Sequence, residues 1–245
     1  MNNKMITIDT REGAIPCYFT YPDDELKHEA LIIVHEIWGL NNHIKDIAER
    51  YKNEGFVVLA PDLLSGTGIE GKIDQSILEE MKDPQRKDDA QKKMREILAP
   101  INSVEFGEST TNKLEDCFEY LKNNENTDGH VSIVGFCFGG TYAFSLALKE
   151  KGLKRAIPYY GRFPTDLDSI KDLNTPILAF YGENDKDLVD SVVSIQAKMD
   201  EYNKEFKYVI YKNCGHAFFN DTNKNMYNKE AAEDSWERAL EFLRS

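Results

Sequence analysis

A sulfur, an acid and an imidazole follow one another along this chain, each placed just beyond a segment that reads as a strand. Residues 131–140 read Val-Ser-Ile-Val-Gly-Phe-Cys-Phe-Gly-Gly. A β-branched run closes at Gly135, and a helix-compatible segment, 141–149, opens just after Gly139 and Gly140. Gly135, Cys137 and Gly139 therefore form Gly-x-Cys-x-Gly on a strand, a sharp turn and a helix, the pattern of a nucleophile elbow with sulfur in place of the usual serine hydroxyl. Glycines two residues either side suit a turn in which the two backbones approach too closely for side chains. Such a turn exposes the sulfur. The unpaired N–H groups at the start of the following helix favour thiolate over thiol.

A sulfur nucleophile needs a base, and the base needs an orienting partner. Asp185 closes Gly182-Glu183-Asn184-Asp185 directly after a β-prone run at 177–181, and His216 sits on the glycine-bearing loop after a run at 206–211. Both follow the carboxyl end of a strand, where open α/β sheets place their sites. Nucleophile, acid, histidine is also the chain order of α/β-hydrolase triads. Glu183 and Asp187 compete with Asp185 for the acid role. The oxyanion hole is expected from the backbone N–H of Phe138, next after the nucleophile, and one N–H from the loop after the 31–34 run, with Ile37 as the donor. Glu36 is adjacent to it, and on residue type alone it reads equally as an ion-paired loop carboxylate. Trp38, Tyr160 and Phe218 are expected to line the pocket. His35, Glu36 and Asp62 show no metal-ligand spacing, so neither metal nor cofactor is expected.

These groups require a frame. Residues 6–10 and 14–21 are β-prone runs around Arg11-Glu12-Gly13 and predict an antiparallel hairpin at a sheet edge. The continuous apolar run 31–34 suits a strand buried on both faces. A helix is expected over 41–53 with Asn41 or Asn42 as N-cap, a strand over 56–60, and helices over 111–122, 189–202 and 228–243 on apolar spacing. Further strands are expected at 156–160, 177–181 and 206–211. Residues 65–93 predict an excursion that covers or borders the site, or else a surface loop. The whole is an α/β chain with a mostly parallel central sheet, helices on both faces and the N-terminal hairpin. No Pro/Gly/Ser-rich linker divides it, so residues 1–245 are expected to form one domain.

Composition narrows the partners. Lys+Arg total 30 against 43 Asp+Glu, and the net charge of -13 opposes binding to nucleic acid or anionic membrane. Neither a signal-peptide run nor a ~20-residue membrane span is present in the sequence, which predicts a cytoplasmic protein, a monomer or small homo-oligomer. The four cysteines, Cys17, Cys117, Cys137 and Cys214, show no Cys-x-x-Cys and are expected as thiols. Cys17, Cys117 and Cys214 read as packing residues.

The motifs together resemble the dienelactone hydrolase (carboxymethylenebutenolidase) family of the α/β-hydrolase fold. The matching pieces are Gly-Phe-Cys-Phe-Gly-Gly at 135–140, Glu36 in His-Glu-Ile-Trp-Gly-Leu, Ala-Pro-Asp-Leu at 60–63, Tyr-Tyr-Gly at 159–161, Tyr-Gly-Glu-Asn-Asp at 181–185 and Gly-His-Ala-Phe at 215–218. The resemblance implies hydrolysis of an enol lactone through a thioester on Cys137, with His216 as base and Asp185 orienting it. It also implies that Glu36 holds the resting thiol and accepts its proton when substrate displaces it, which would protect the sulfur from oxidation. Family enzymes acting on dienelactone grip its carboxylate with arginines, one of them four residues after the histidine, where this chain has Asn220. Arg86 and Arg162 are the candidates to supply a cation instead. Two other functions fit the same residues: a general carboxylesterase or thioesterase, and a non-catalytic ligand-binding or thiol-sensing member of the fold.

Overall fold

The computed structural model describes residues 2–69, 71–73, 77, 80, 83 and 85–245. The chain opens with β1 (Asn3–Thr10) and β2 (Gly13–Thr20), paired antiparallel from Asn3 opposite Thr20 to Thr10 opposite Gly13. β3 (His28–Val34), helix α1 (Asn42–Asn53) and β4 (Val57–Pro61) follow. Helices α2 (Lys87–Leu98) and α3 (Val104–Lys122) lead into β5 (Thr127–Phe136) and α4 (Phe138–Lys149). β6 (Ala156–Tyr159), β7 (Ile177–Gly182), α5 (Lys186–Glu201), β8 (Phe206–Tyr211) and α6 (Lys229–Arg244) complete it.

The strands form one eight-stranded sheet in the order β1-β2-β4-β3-β5-β6-β7-β8. The hairpin occupies one edge, and β2 joins β4 antiparallel; from β4 through β8 every pairing is parallel. Successive strand residues point to opposite faces, yet Leu31, Ile32, Ile33 and Val34 are all fully buried, so both faces of β3 are covered. Val34 pairs with Gly135, Phe136 with Tyr159 and Gly182 with Tyr211. This register brings the loops after β3, β5, β6, β7 and β8 to the same end of the sheet. Those loops carry Glu36, Cys137, Tyr160, Asp185 and His216. Among the described residues no helix is long and apolar enough to cross a membrane.

Two expectations about helices are corrected. α3 begins at Val104, seven residues before the expected 111, because the Ser103 side chain caps it by accepting from the Phe106 N–H at 3.0 Å. Gly107 and the polar run 108–113 that follows it hide that turn from any apolar count. α2 occupies the end of the excursion, where the sequence shows little apolar content before Met94. Residues 70, 74–76, 78–79, 81–82 and 84 of that excursion lie outside the described residues. Ile69 of the excursion packs with Leu64 and Ile101 in a small cluster against Ile37 and Phe138. That part of the excursion therefore borders the loops after β3 and β5.

Candidate active site

The elbow is made by backbone crowding. A Cβ on Gly135 would lie 2.0 Å from the Gly139 carbonyl oxygen, and one on Gly139 would lie 2.2 Å from the Val34 carbonyl oxygen. Only glycine fits either position. Between them Cys137 adopts φ 54° and ψ -110°, a left-handed conformation that costs a non-glycine residue of the order of 1–3 kcal/mol. The turn is pinned by the Cys137 N–H donating to the Tyr159 carbonyl at 3.0 Å and the Thr141 N–H donating to the Cys137 carbonyl at 3.1 Å. Cys137 caps the N-terminus of α4 and is half-buried.

His216 faces this sulfur. Its Nδ1 lies 2.5 Å from Asp185 Oδ2, and its other partner is Cys137, so the three residues expected to act together meet in space. Gly182 lets the loops touch, since a Cβ there would stand 2.5 Å from the Gly215 carbonyl oxygen. Burial pulls the imidazole pKa down, but the hydrogen bond to Asp185 and the hydrogen bond and charge of Cys137 prevail and raise it to about 10. His216 is therefore an imidazolium at neutral pH, flanked by a carboxylate and a sulfur.

Glu36 is almost fully buried, and burial raises its pKa to about 7 against the opposing effects of Asn220, the His216 charge and Tyr160. Asn220 Nδ2 donates to Glu36 Oε2 at 2.5 Å, while Asn220 Oδ1 accepts from the Thr222 N–H at 3.1 Å and the Thr222 hydroxyl at 2.6 Å. Glu36 Oε1 and the Tyr160 hydroxyl are both buried without a well-formed hydrogen bond, yet close enough for each to perturb the other's titration. Tyr160 sits at φ 39°, directly after β6, with its ring 5.0 Å from that of His216. The position at which the resemblance places an arginine thus holds an amide that grips Glu36.

Cys137, His216, Glu36, Ile37 and Trp38 line one cavity of about 370 Å³, together with Ala217, Asn220, Asn223, Asn225 and Met226. The three lining positions beyond Asn220, namely Asn223, Asn225 and Met226, escaped the sequence reading, though the amide-rich stretch after Phe219 was the available signal. Ile37 and Trp38 also wall a second cavity of about 300 Å³ that includes Asp62, Ile69 and Ile73. Neither the Ile37 N–H nor the Phe138 N–H has an acceptor among the described hydrogen bonds.

Four of the expected pocket residues do not line this cavity, Tyr160 among them: it is buried with its ring against His216. Arg86 precedes α2, its Nε donating to Asp83 Oδ2 at 2.8 Å, and does not line the cavity. Arg162 is exposed, and its backbone N–H donates to the Thr141 hydroxyl at 3.0 Å. Phe218 is fully buried behind Tyr160, ring to ring at 5.4 Å, where it supports the wall without reaching the cavity. Its place in Gly-His-Ala-Phe reflects core packing: Phe218, Phe219 and Asn220 are buried in succession.

Known proteins share this arrangement of the chain. A candidate carboxymethylenebutenolidase from Saccharolobus solfataricus is 34% identical, with 98% of each chain covered. Among solved structures, a candidate dienelactone hydrolase from Klebsiella pneumoniae superposes with a TM-score of 0.82 at 24% identity over 97% of this chain and 96% of its own. A dienelactone hydrolase from Anabaena variabilis gives a TM-score of 0.68 at 14% identity, covering 98% and 95%. The sequence profile of the dienelactone hydrolase family matches residues 15–245, and the chain belongs to that family.

Proposed function

We propose that this protein hydrolyses a small ester or enol lactone by transferring the acyl group to Cys137 and then to water. The observation that carries the reading is the meeting of Cys137, His216 and Asp185, the first two of which line one cavity. In the first step Sγ attacks the acyl carbon, and the carbonyl oxygen takes up negative charge opposite the Ile37 and Phe138 N–H groups. Collapse expels the alcohol or enol oxygen, which takes the imidazolium proton from His216. A water molecule then gives its proton to the neutral imidazole and attacks the thioester, releasing the acid and the thiolate. Asp185 holds the ring in orientation throughout.

Glu36 shares the cavity and titrates near neutrality, which suits the family-implied role of taking the thiol proton. Its hydrogen bond runs to Asn220, so the carboxyl must exchange or share that partner to reach the sulfur. The site's polar wall is built of amides, Asn220, Asn223 and Asn225, beside apolar Trp38 and Met226. These groups suit an uncharged ester better than the carboxylate-bearing dienelactone. The test is turnover of p-nitrophenyl acetate and a dienelactone by the wild type, Cys137→Ala and His216→Ala. Activity that vanishes in Cys137→Ala and falls in His216→Ala supports the mechanism; undiminished activity in Cys137→Ala refutes it.

A further inference from the structure

His35 immediately precedes Glu36 and is fully buried. Its ring bridges two loops. The Leu63 N–H, from the loop after β4, points at His35 Nε2 at 3.0 Å, and His35 Nδ1 lies 2.6 Å from the Glu36 carbonyl oxygen. An N–H can only donate, so Nε2 must be bare and the ring hydrogen must sit on Nδ1, donated to that carbonyl. Asp62 Oδ1 stands 3.8 Å from Nε2, beyond hydrogen-bond reach. Burial opposes charging of the ring, in keeping with the neutral form.

The Glu36 carbonyl and the Ile37 N–H belong to one planar trans peptide unit, so they point in opposite directions and turn together. Fixing the oxygen fixes the aim of the N–H. The oxygen is held twice, by His35 Nδ1 and by the Gly39 N–H at 3.1 Å, while the Ile37 N–H on the other side has no acceptor among the described hydrogen bonds. The same histidine reaches the second donor. Its ring stacks on Phe138 with centroids 5.6 Å apart and planes 2° from parallel, and its carbonyl accepts from the Gly139 N–H at 3.1 Å.

We propose that His35 is a positioning residue: as a neutral Nδ1–H imidazole it locks the Glu36–Ile37 peptide so that the Ile37 N–H meets the acyl oxygen of a substrate attacked by Cys137. The assignment rests on the hydrolase reading given above. A histidine suits the position because one rigid ring offers a donor and an acceptor to two different loops.

The test has two arms. Nitrogen NMR of the wild-type imidazole should show His35 as the Nδ1–H tautomer, without titration across neutral pH; an Nε2–H tautomer or an imidazolium overturns the lock. In kinetics on p-nitrophenyl acetate, His35→Leu should lower kcat by about 10- to 100-fold with KM changed less than about threefold. His35→Asn, whose amide NH2 sits near the Nδ1 position and returns a donor toward the Glu36 carbonyl, should recover most of that loss. His35→Gln, whose longer amide reaches the Nε2 position beside Leu63 instead, should stay slow. A purely structural histidine would give no such pattern of rescue, and wild-type kcat in a folded His35→Leu overturns the proposal. If the wild type turns over no ester, the hydrolase reading fails by itself. The lock is then decided by the tautomer and by amide exchange at Gly39, whose N–H shares the Glu36 carbonyl with His35, expected to be about tenfold faster in His35→Leu; an unchanged exchange rate overturns it. If His35→Leu does not fold, the wild-type tautomer and the contrast between His35→Asn and His35→Gln still decide.

Discussion

Asn220 donates to Glu36 across 2.5 Å, joining the loop after β8 to the loop after β3 over 184 residues of chain. An amide thus stands where the resemblance places an arginine, in the cavity that Cys137 also lines, and its partner is a residue of the protein. The carboxyl it holds is almost fully buried. Burial lifts the Glu36 pKa to about 7, with Asn220, His216 and Tyr160 only partly offsetting it, so ionising Glu36 works against folding.

The sign of the resulting pH dependence is fixed. A carboxyl whose folded-state pKa lies above its unfolded value stabilises the fold most at low pH, and that contribution is lost as pH rises through about 7. Glu36→Gln keeps an acceptor for Asn220 and removes the charge. Urea denaturation should find it more stable than wild type by roughly 2–3 kcal/mol at mildly alkaline pH, with the difference shrinking toward zero at acidic pH. Its esterase activity should fall over the same range.

Removing the donor instead should move the titration. Asn220 favours the ionised form of Glu36, so Asn220→Leu should raise that pKa further. The acidic limb of the kcat/KM profile should shift to higher pH. An unmoved profile would separate Glu36 from the rate-determining proton.

For His216 the expected observable is a ring that stays protonated across neutral pH, because its pKa stands near 10. Burial alone would lower that value, and the bond to Asp185 is the first of the effects that raise it. Asp185→Asn should therefore return titration of the His216 ring protons toward neutral pH and reduce kcat by roughly 10³-fold or more. Proton NMR and steady-state kinetics on the one variant check both.

Substrate charge gives a further prediction. With a net charge of -13 and an amide-lined wall, kcat/KM for a neutral aryl ester should exceed that for a dienelactone carboxylate. Added salt should raise the dienelactone value by screening and leave the neutral ester nearly unchanged. A salt-independent preference for the dienelactone would argue against this reading.

The elbow should tolerate nothing larger than hydrogen. Gly135→Ala drives a methyl to 2.0 Å from the Gly139 carbonyl oxygen, a backbone atom that cannot step aside. The expected destabilisation is at least ~4 kcal/mol, a fall in Tm of roughly 8–16 °C or loss of soluble protein. Thermal unfolding followed by circular dichroism decides.

What could be read from the sequence follows from how each feature is encoded. The strand 31–34 and the elbow are local: apolar continuity and paired glycines announce them without knowledge of the partners. Asp185 and His216 were legible through chain order. The start of α3 was not, because its cap is a single Ser103 hydroxyl and a glycine and a polar run separate its first turn from the apolar stripe. The part played by Asn220 was invisible for a different reason. Position 220 read as the loss of an arginine, and its bond to Glu36 exists only once the ends of β3 and β8 meet. His35 likewise read as a neighbour of Glu36 until Leu63 and Phe138 were found against its ring.

The unequal burial of the sulfurs has a practical outcome. Cys17, Cys117 and Cys214 are buried, and Cys137 alone among the four cysteines is half-buried at a cavity mouth. A thiol-specific reagent added to the folded chain therefore performs a census: the label incorporated per chain gives the fraction of a preparation whose elbow is open and unoxidised. Unfolding the same sample exposes all four sulfurs, so any shortfall from four reports oxidised thiol, and the difference between the two counts separates oxidation from burial. Competent molecules can be numbered before any substrate is known.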